Sequence, residues 1–180
     1  MSYKLATIKI LIVEDNKAMM ELMRSILKTF GIGKIITAAD GDTGFDRYRT
    51  ENPDLIITDW MMEPCDGITL ARRIRTYARG PNPFVPIILM TGFSEKRRVV
   101  SARDNGVTEF LVKPFNARDL YRRLEEIIEK PRQFVRTEDF FGPDRRRKSD
   151  NNKSLKRRKS DRTMPEKPLK PEDIDFNANG

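Results

Sequence analysis

Short apolar, β-branched runs alternate along this chain with longer stretches whose apolar residues recur every three or four positions. The first pattern is that of a buried strand, the second that of an amphipathic helix. Strands are expected near residues 8–13, 34–38, 55–58, 87–90 and 109–112. Met19, Met23, Ile26, Leu27 and Phe30 fall at helical spacing, as do Leu120, Leu124, Ile127 and Ile128. Asn116 with Asp119 three residues on, and Ser94 before a charged first turn, read as helix starts. Asp40-Gly41, Asp66-Gly67 and Asn105-Gly106 supply turn chemistry between elements. Five strands alternating with five helices predict an α/β fold, a doubly wound parallel sheet occupying residues 5–130.

After Lys130 the pattern stops. Pro131 interrupts the last helix, and from residue 141 onward Pro, Gly, Asn, Ser, Lys, Arg and Asp dominate. Such a segment buries too little apolar surface to offset its ordering entropy, so residues 131–180 are expected to be a basic, largely disordered tail. Phe134, Phe140 and Phe141, ahead of Gly142-Pro143-Asp144, are candidates to dock back on the domain. Removal of residues 142–180 is expected to leave the fold intact, because none of the features of the folded part lies there.

Charge changes this picture only locally. The chain carries a net +8, but residues 145–162 hold ten Lys or Arg against two Asp and account for all of it. The pentapeptide Arg-Arg-Lys-Ser-Asp occurs there twice, at 146–150 and 157–161. A single cysteine, Cys65, excludes an intrachain disulfide and reads as an incidental loop residue. No apolar segment reaches the length of a membrane span, the amino terminus lacks a cleavable signal, and a cytoplasmic location is expected. Histidine is absent, which excludes histidine-ligated zinc, Ser-His-Asp hydrolysis and Cys-His catalysis.

Three acids follow strand-like runs: Glu14 and Asp15 after the first, Asp59 after the third. Parallel neighbouring strands would bring them to one edge of the sheet, where open α/β folds bind ligands. At about 5 Å separation each like-charged pair would repel by roughly 3 kcal/mol at an effective dielectric near 20, so the cluster calls for a divalent cation. Oxygen-only ligands favour Mg²⁺. Thr91 and Lys113, each after a later strand, would supply a hydroxyl and a point charge for phosphoryl oxygens. The parts suit phosphoryl transfer with Asp59 as nucleophile.

Taken together, Glu14-Asp15, the Asp59-Trp60-Met61-Met62 segment, Asp66-Gly67, Met90-Thr91-Gly92 and Lys113-Pro114-Phe115 resemble the bacterial response-regulator receiver domain, across about residues 5–130. The resemblance implies a flavodoxin-like (βα)5 fold and a signalling module in a two-component system or phosphorelay. By it, Asp59 accepts a phosphoryl group from a phosphohistidine on a sensor histidine kinase or histidine phosphotransfer protein. Glu14, Asp15, Asp59 and the backbone carbonyl of Met61 would hold Mg²⁺, and Thr91 and Lys113 would bind the phosphoryl group. Thr91 and Phe110 would be the switch pair, with Phe110 rotating inward, and the Lys113-Pro114 bond would be cis. Phosphorylation would then alter binding to an output protein.

The chain departs from the family in the loop Met62-Glu63-Pro64-Cys65, where proline commonly follows the second methionine directly. Met61 and Phe93, flanking the path of hydrolytic water in the family, are both apolar, and Phe110 lacks a hydroxyl. A phosphatase using a strand-end Asp nucleophile would need a second Asp two residues on, and that position is Met61, so the chain is expected to catalyse only its own phosphorylation and slow dephosphorylation. The alternative function is a receiver-regulated binder of nucleic acid or an anionic surface through residues 145–162.

Overall fold

The computed structural model describes residues 5–92, 104–137 and 140–144. After a 3-10 turn at Leu5–Thr7, the elements run β1 (Lys9–Val13), α1 (Lys17–Thr29), β2 (Lys34–Ala38), α2 (Gly41–Glu51), β3 (Leu55–Asp59), α3 (Gly67–Thr76), β4 (Ile87–Thr91), β5 (Glu109–Val112), α4 (Ala117–Glu129), β6 (Phe134–Thr137) and β7 (Phe140–Pro143). The first five strands form one parallel sheet in the order β2-β1-β3-β4-β5. This is the doubly wound arrangement the apolar pattern predicts, with strand order reversing between β1 and β3. The helix expected from Ser94 lies outside the described residues. Among those described, no helix is long and apolar enough to cross a membrane.

Both faces of the sheet are covered, which is why its strands read as continuous apolar runs. Leu11, Val13, Ile56, Ile87 and Leu89 pack with Phe45 and Tyr48 of α2 and Leu70, Ala71 and Ile74 of α3. On the other face Ile10, Ile12, Ile57, Ile88 and Met90 meet Met23 and Leu27 of α1 and Leu120 and Leu124 of α4. Successive strand residues thus serve opposite layers, as the pleat requires.

The helix starts follow from side chains that accept orphan backbone N–H groups. The Asn116 side chain accepts from the Asp119 N–H at 3.0 Å and the Asp119 carboxylate accepts from the Asn116 N–H at 3.1 Å, a reciprocal cap. Asp40 and Asp66, read from sequence as turn residues, cap α2 and α3 by the same chemistry, through Asp42 and Thr43 and through Thr69. Gly106 does occupy a turn with φ +84, and a Cβ there would meet the Arg75 side chain.

The fold extends past the expected boundary at residue 130. Strands β6 and β7 form an antiparallel hairpin, Val135 facing Gly142, where a disordered tail was expected to begin. The physical reason is a compact aromatic cluster that helical periodicity does not reveal. The rings of Phe84, Phe134 and Phe141 lie 5.1–5.8 Å apart, and Phe134 and Val135 are buried. Burying one such ring contributes about 2–3 kcal/mol. Arg132 adds an ion pair with the buried Glu109 at the start of β5, and Arg123 of α4 approaches the same carboxylate at 3.7 Å. Docking of Phe134 and Phe141 therefore agrees with expectation, while a cut at residue 142 would sever β7. Residues 145–180 lie outside the described residues.

Candidate functional site

Strand register assembles the acids. Val13 pairs with Thr58, so Glu14, next after β1, emerges beside Asp59, the last residue of β3. Asp59 pairs with Met90 and Thr91 with Val112, which brings Thr91 and Lys113 to the same carboxyl edge. Glu14 is 2% and Asp59 8% exposed, and Thr91 is buried, whereas Asp15 faces solvent. One carboxylate oxygen from each of Glu14, Asp15 and Asp59 lies within 4.8 Å of the others.

Lys113 ties the cluster together. Its ammonium sits 2.8 Å from Asp59 Oδ1 and 3.1 Å from Glu14 Oε2. The backbone is latched as well: the Lys113 N–H donates to the Thr91 carbonyl at 2.8 Å, and the Trp60 N–H to the Met90 carbonyl at 3.0 Å. The Lys113-Pro114 bond is cis, as the resemblance implies, and Glu63-Pro64 in the loop after β3 is cis too, which sequence reading did not anticipate. Gly67 opens α3 against the end of β3, where a Cβ would collide with the Asp59 carbonyl oxygen.

Electrostatics reflect the crowding. Burial, followed by the charge of Asp59, raises the Glu14 pKa, with Lys113 and the Asn16 N–H only partly offsetting them. Burial pulls Lys113 down, but the hydrogen bond and charge of Asp59, then those of Glu14, outweigh it and leave the ammonium pKa raised. Burial also pushes up the Cys65 thiol in the loop, so its thiolate is disfavoured.

Asn16 escaped sequence reading. Its N–H donates to Glu14 Oε1 at 3.2 Å while its side chain accepts from the Met19 N–H at 3.1 Å, so one residue orients an acid and starts α1. The readable signal was Asn directly before a helical run. Met61 lies two residues past β3 with its side chain 61% exposed. Phe110 is 9% exposed and packs in the core with Leu89, so the ring already occupies an inward position. Phe93 lies outside the described residues.

Three hard carboxylates converging without a nitrogen or sulfur ligand, with one lysine balancing part of their charge, fit Mg²⁺. Among known proteins, the profile of the response regulator receiver domain matches residues 10–125, ending ahead of the hairpin. The chemotaxis protein CheY of Pseudomonas aeruginosa is 32% identical over 122 residues, 68% of this chain and 97% of that protein. CheY-3 of Vibrio cholerae is 31% identical over 68% of this chain and 92% of its own length. The structure of V. cholerae CheY4 superposes with a TM-score of 0.62 at 27% identity, covering 67% of this chain and 98% of that one. The receiver domain of the sensor histidine kinase PA1611 from P. aeruginosa, with a magnesium ion coordinated in its active-site cleft, gives a TM-score of 0.60 at 28% identity, covering 66% and 95%. The chain belongs to the response regulator receiver domain family.

Proposed function

We propose that this receiver is phosphorylated on Asp59 by a partner phosphohistidine and that the modification changes what the domain binds. The observation that carries the reading is the Lys113 ammonium held 2.8 Å from Asp59 Oδ1 amid two further carboxylates. A carboxylate oxygen of Asp59 attacks phosphorus; the P–O bond forms as the P–N bond to the donor imidazole breaks, and the imidazole nitrogen keeps that electron pair and takes a proton from water. The donor histidine must come from a sensor kinase or histidine phosphotransfer protein, because this chain has none. Glu14, Asp15, Asp59 and the Met61 backbone carbonyl would hold Mg²⁺, which when bound supplies positive charge to the phosphoryl oxygens.

Lys113 then pairs with a phosphoryl oxygen instead of the bare carboxylate, and the Thr91 hydroxyl donates to another. Since the Thr91 carbonyl already accepts from the Lys113 N–H, movement at either residue is passed to β4 and β5, and so to Phe110. This path is the proposed route to an output protein.

The test is chemical. Incubation with acetyl phosphate and Mg²⁺ should add one acid-stable, hydroxylamine-labile phosphoryl group, since an acyl phosphate is a mixed anhydride. Asp59→Asn should abolish it. Labelling that survives this change and maps to Ser149 or Ser160 would overturn the assignment.

A further inference from the structure

Phosphoryl transfer at Asp59 makes no use of the opposite, amino-terminal edge of the sheet, where a cavity of about 280 Å³ lies between α4 and the hairpin. Its walls are apolar: Phe84 and Pro86 ahead of β4, Ile127 of α4, then Pro131 and Phe134. Two polar residues reach it from the entry to β5, and both are already engaged. The Thr108 hydroxyl accepts from the Ile87 N–H at 3.0 Å, and the Glu109 carboxylate, 4% exposed, pairs with Arg132. Glu126 is matched in turn by Arg123 at 3.1 Å. The remaining charge on the lining is Lys130, exposed at the carboxyl end of α4 and without an ion pair among the described residues. Most of the lining, from Glu126 to Phe134, follows residue 125, so the cavity is made largely by residues beyond the receiver profile.

We propose that this cavity binds a small monoanion of the carboxylate class, its apolar body against the rings and its charge at Lys130. The volume falls at the small end of ligand pockets, which sets the size. Thr108 and Glu109 are spoken for, so a polar group placed deep in the cavity would lose its water without gaining a partner. The body of the ligand is therefore apolar. A cation at a helix carboxyl end also complements the dipole, so Lys130 alone would signify nothing. What distinguishes it is the balance around it: Glu109 and Glu126 offset Arg132 and Arg123, which leaves one uncompensated positive charge on the rim of an apolar cavity. One surplus cation matches a monoanion, and a second negative charge would go unmatched. The exposed side-chain amide of Gln133, which also lines the cavity, is a further donor to a carboxylate.

The experiment titrates octanoate into the full, isotope-labelled chain and follows backbone NMR shifts. Saturable shifts should centre on Thr108, Ile127 and Gln133 and spare Asp15 and Thr91. Affinity should rise about fourfold for each methylene from pentanoate to octanoate, as burial of the body requires. Octylamine, the same body with the opposite charge, should bind about fivefold more weakly, attraction at the rim having become repulsion. Lys130→Glu should invert that order while its amide spectrum shows the fold intact, because the side chain is exposed. Absence of saturable binding, affinity independent of chain length, equal binding of octanoate and octylamine, an unaltered order in Lys130→Glu, or shifts centred on Ile32 or on Asp15 and Thr91 would each overturn the proposal. Nothing here needs a phosphoryl group on Asp59, so failure is separable from failure of the acceptor assignment.

Discussion

The Arg75 guanidinium of α3 stands 5.0 Å from the centroid of the Phe134 ring in β6. Arg75 is buried, and its nitrogens donate to the carbonyls of Gly106 and Pro83 at 2.7–3.1 Å. Burial pushes its pKa down to about 9, which still leaves it charged at neutral pH. The Phe134 ring thus gives the buried guanidinium a cation–π contact that offsets part of the cost of its burial, and it ties the hairpin to α3.

Phe134→Ala should therefore cost about 3 kcal/mol, the range for deleting a buried ring, and lower the urea midpoint without changing the dependence on denaturant by much. A chain ending at residue 144 should match the full chain, whereas one ending at residue 130 should be clearly less stable. Equal midpoints for the two truncations would show that the hairpin contributes nothing.

The strands were legible because burial on both faces writes itself as uninterrupted β-branched runs, and the site was legible because its acids, threonine and lysine each follow such a run. The hairpin was not. Phe134 and Phe141 find Phe84 across some fifty residues of sequence, and no local period encodes that meeting. Asp40 and Asp66 looked like turn residues because capping and turning use the same short acceptor side chain. Asn16 was hidden for a similar reason, since its orienting contact to Glu14 comes from a backbone N–H available to any residue but proline.

Glu14 supplies a pH prediction. Its folded pKa is raised, so its protonated form favours the folded state; its contribution is fully present below the unfolded carboxyl value and is lost as pH rises through the folded one. At neutral pH the ionised, buried acid beside Asp59 is a burden on the metal-free domain. Glu14→Gln should melt higher than the parent in a chelator at neutral pH. The two melting curves should converge as pH falls through the Glu14 titration. A lower-melting Gln variant at neutral pH would mean that the Lys113 and Asn16 contacts outweigh burial.

The same cluster predicts stabilisation by metal. A cation that binds only the folded state raises stability by about 2.7 kcal/mol at a hundredfold excess over its dissociation constant. Millimolar Mg²⁺ should raise the melting temperature of the parent, and Asp15→Asn should remove most of that rise, because Asp15 faces solvent and contributes to the cluster without anchoring the fold. An identical Mg²⁺ response in both proteins would place the ion elsewhere.

The lifetime of phosphorylated Asp59 should be long. Hydrolysis needs a water aligned opposite the departing carboxylate oxygen, and a side chain bordering that approach helps only if it can hold the water by a hydrogen bond. Met61 stands two residues past Asp59 with its thioether side chain largely in solvent, available to border the approach yet poorly equipped to orient water. Loss of the phosphoryl group from purified protein in Mg²⁺ should take many minutes or longer. Met61→Asn should shorten this several-fold, and replacing Phe93 by a polar residue as well should shorten it further. A parent half-life of seconds, or a double variant decaying at the parental rate, would remove these two side chains from the control of hydrolysis.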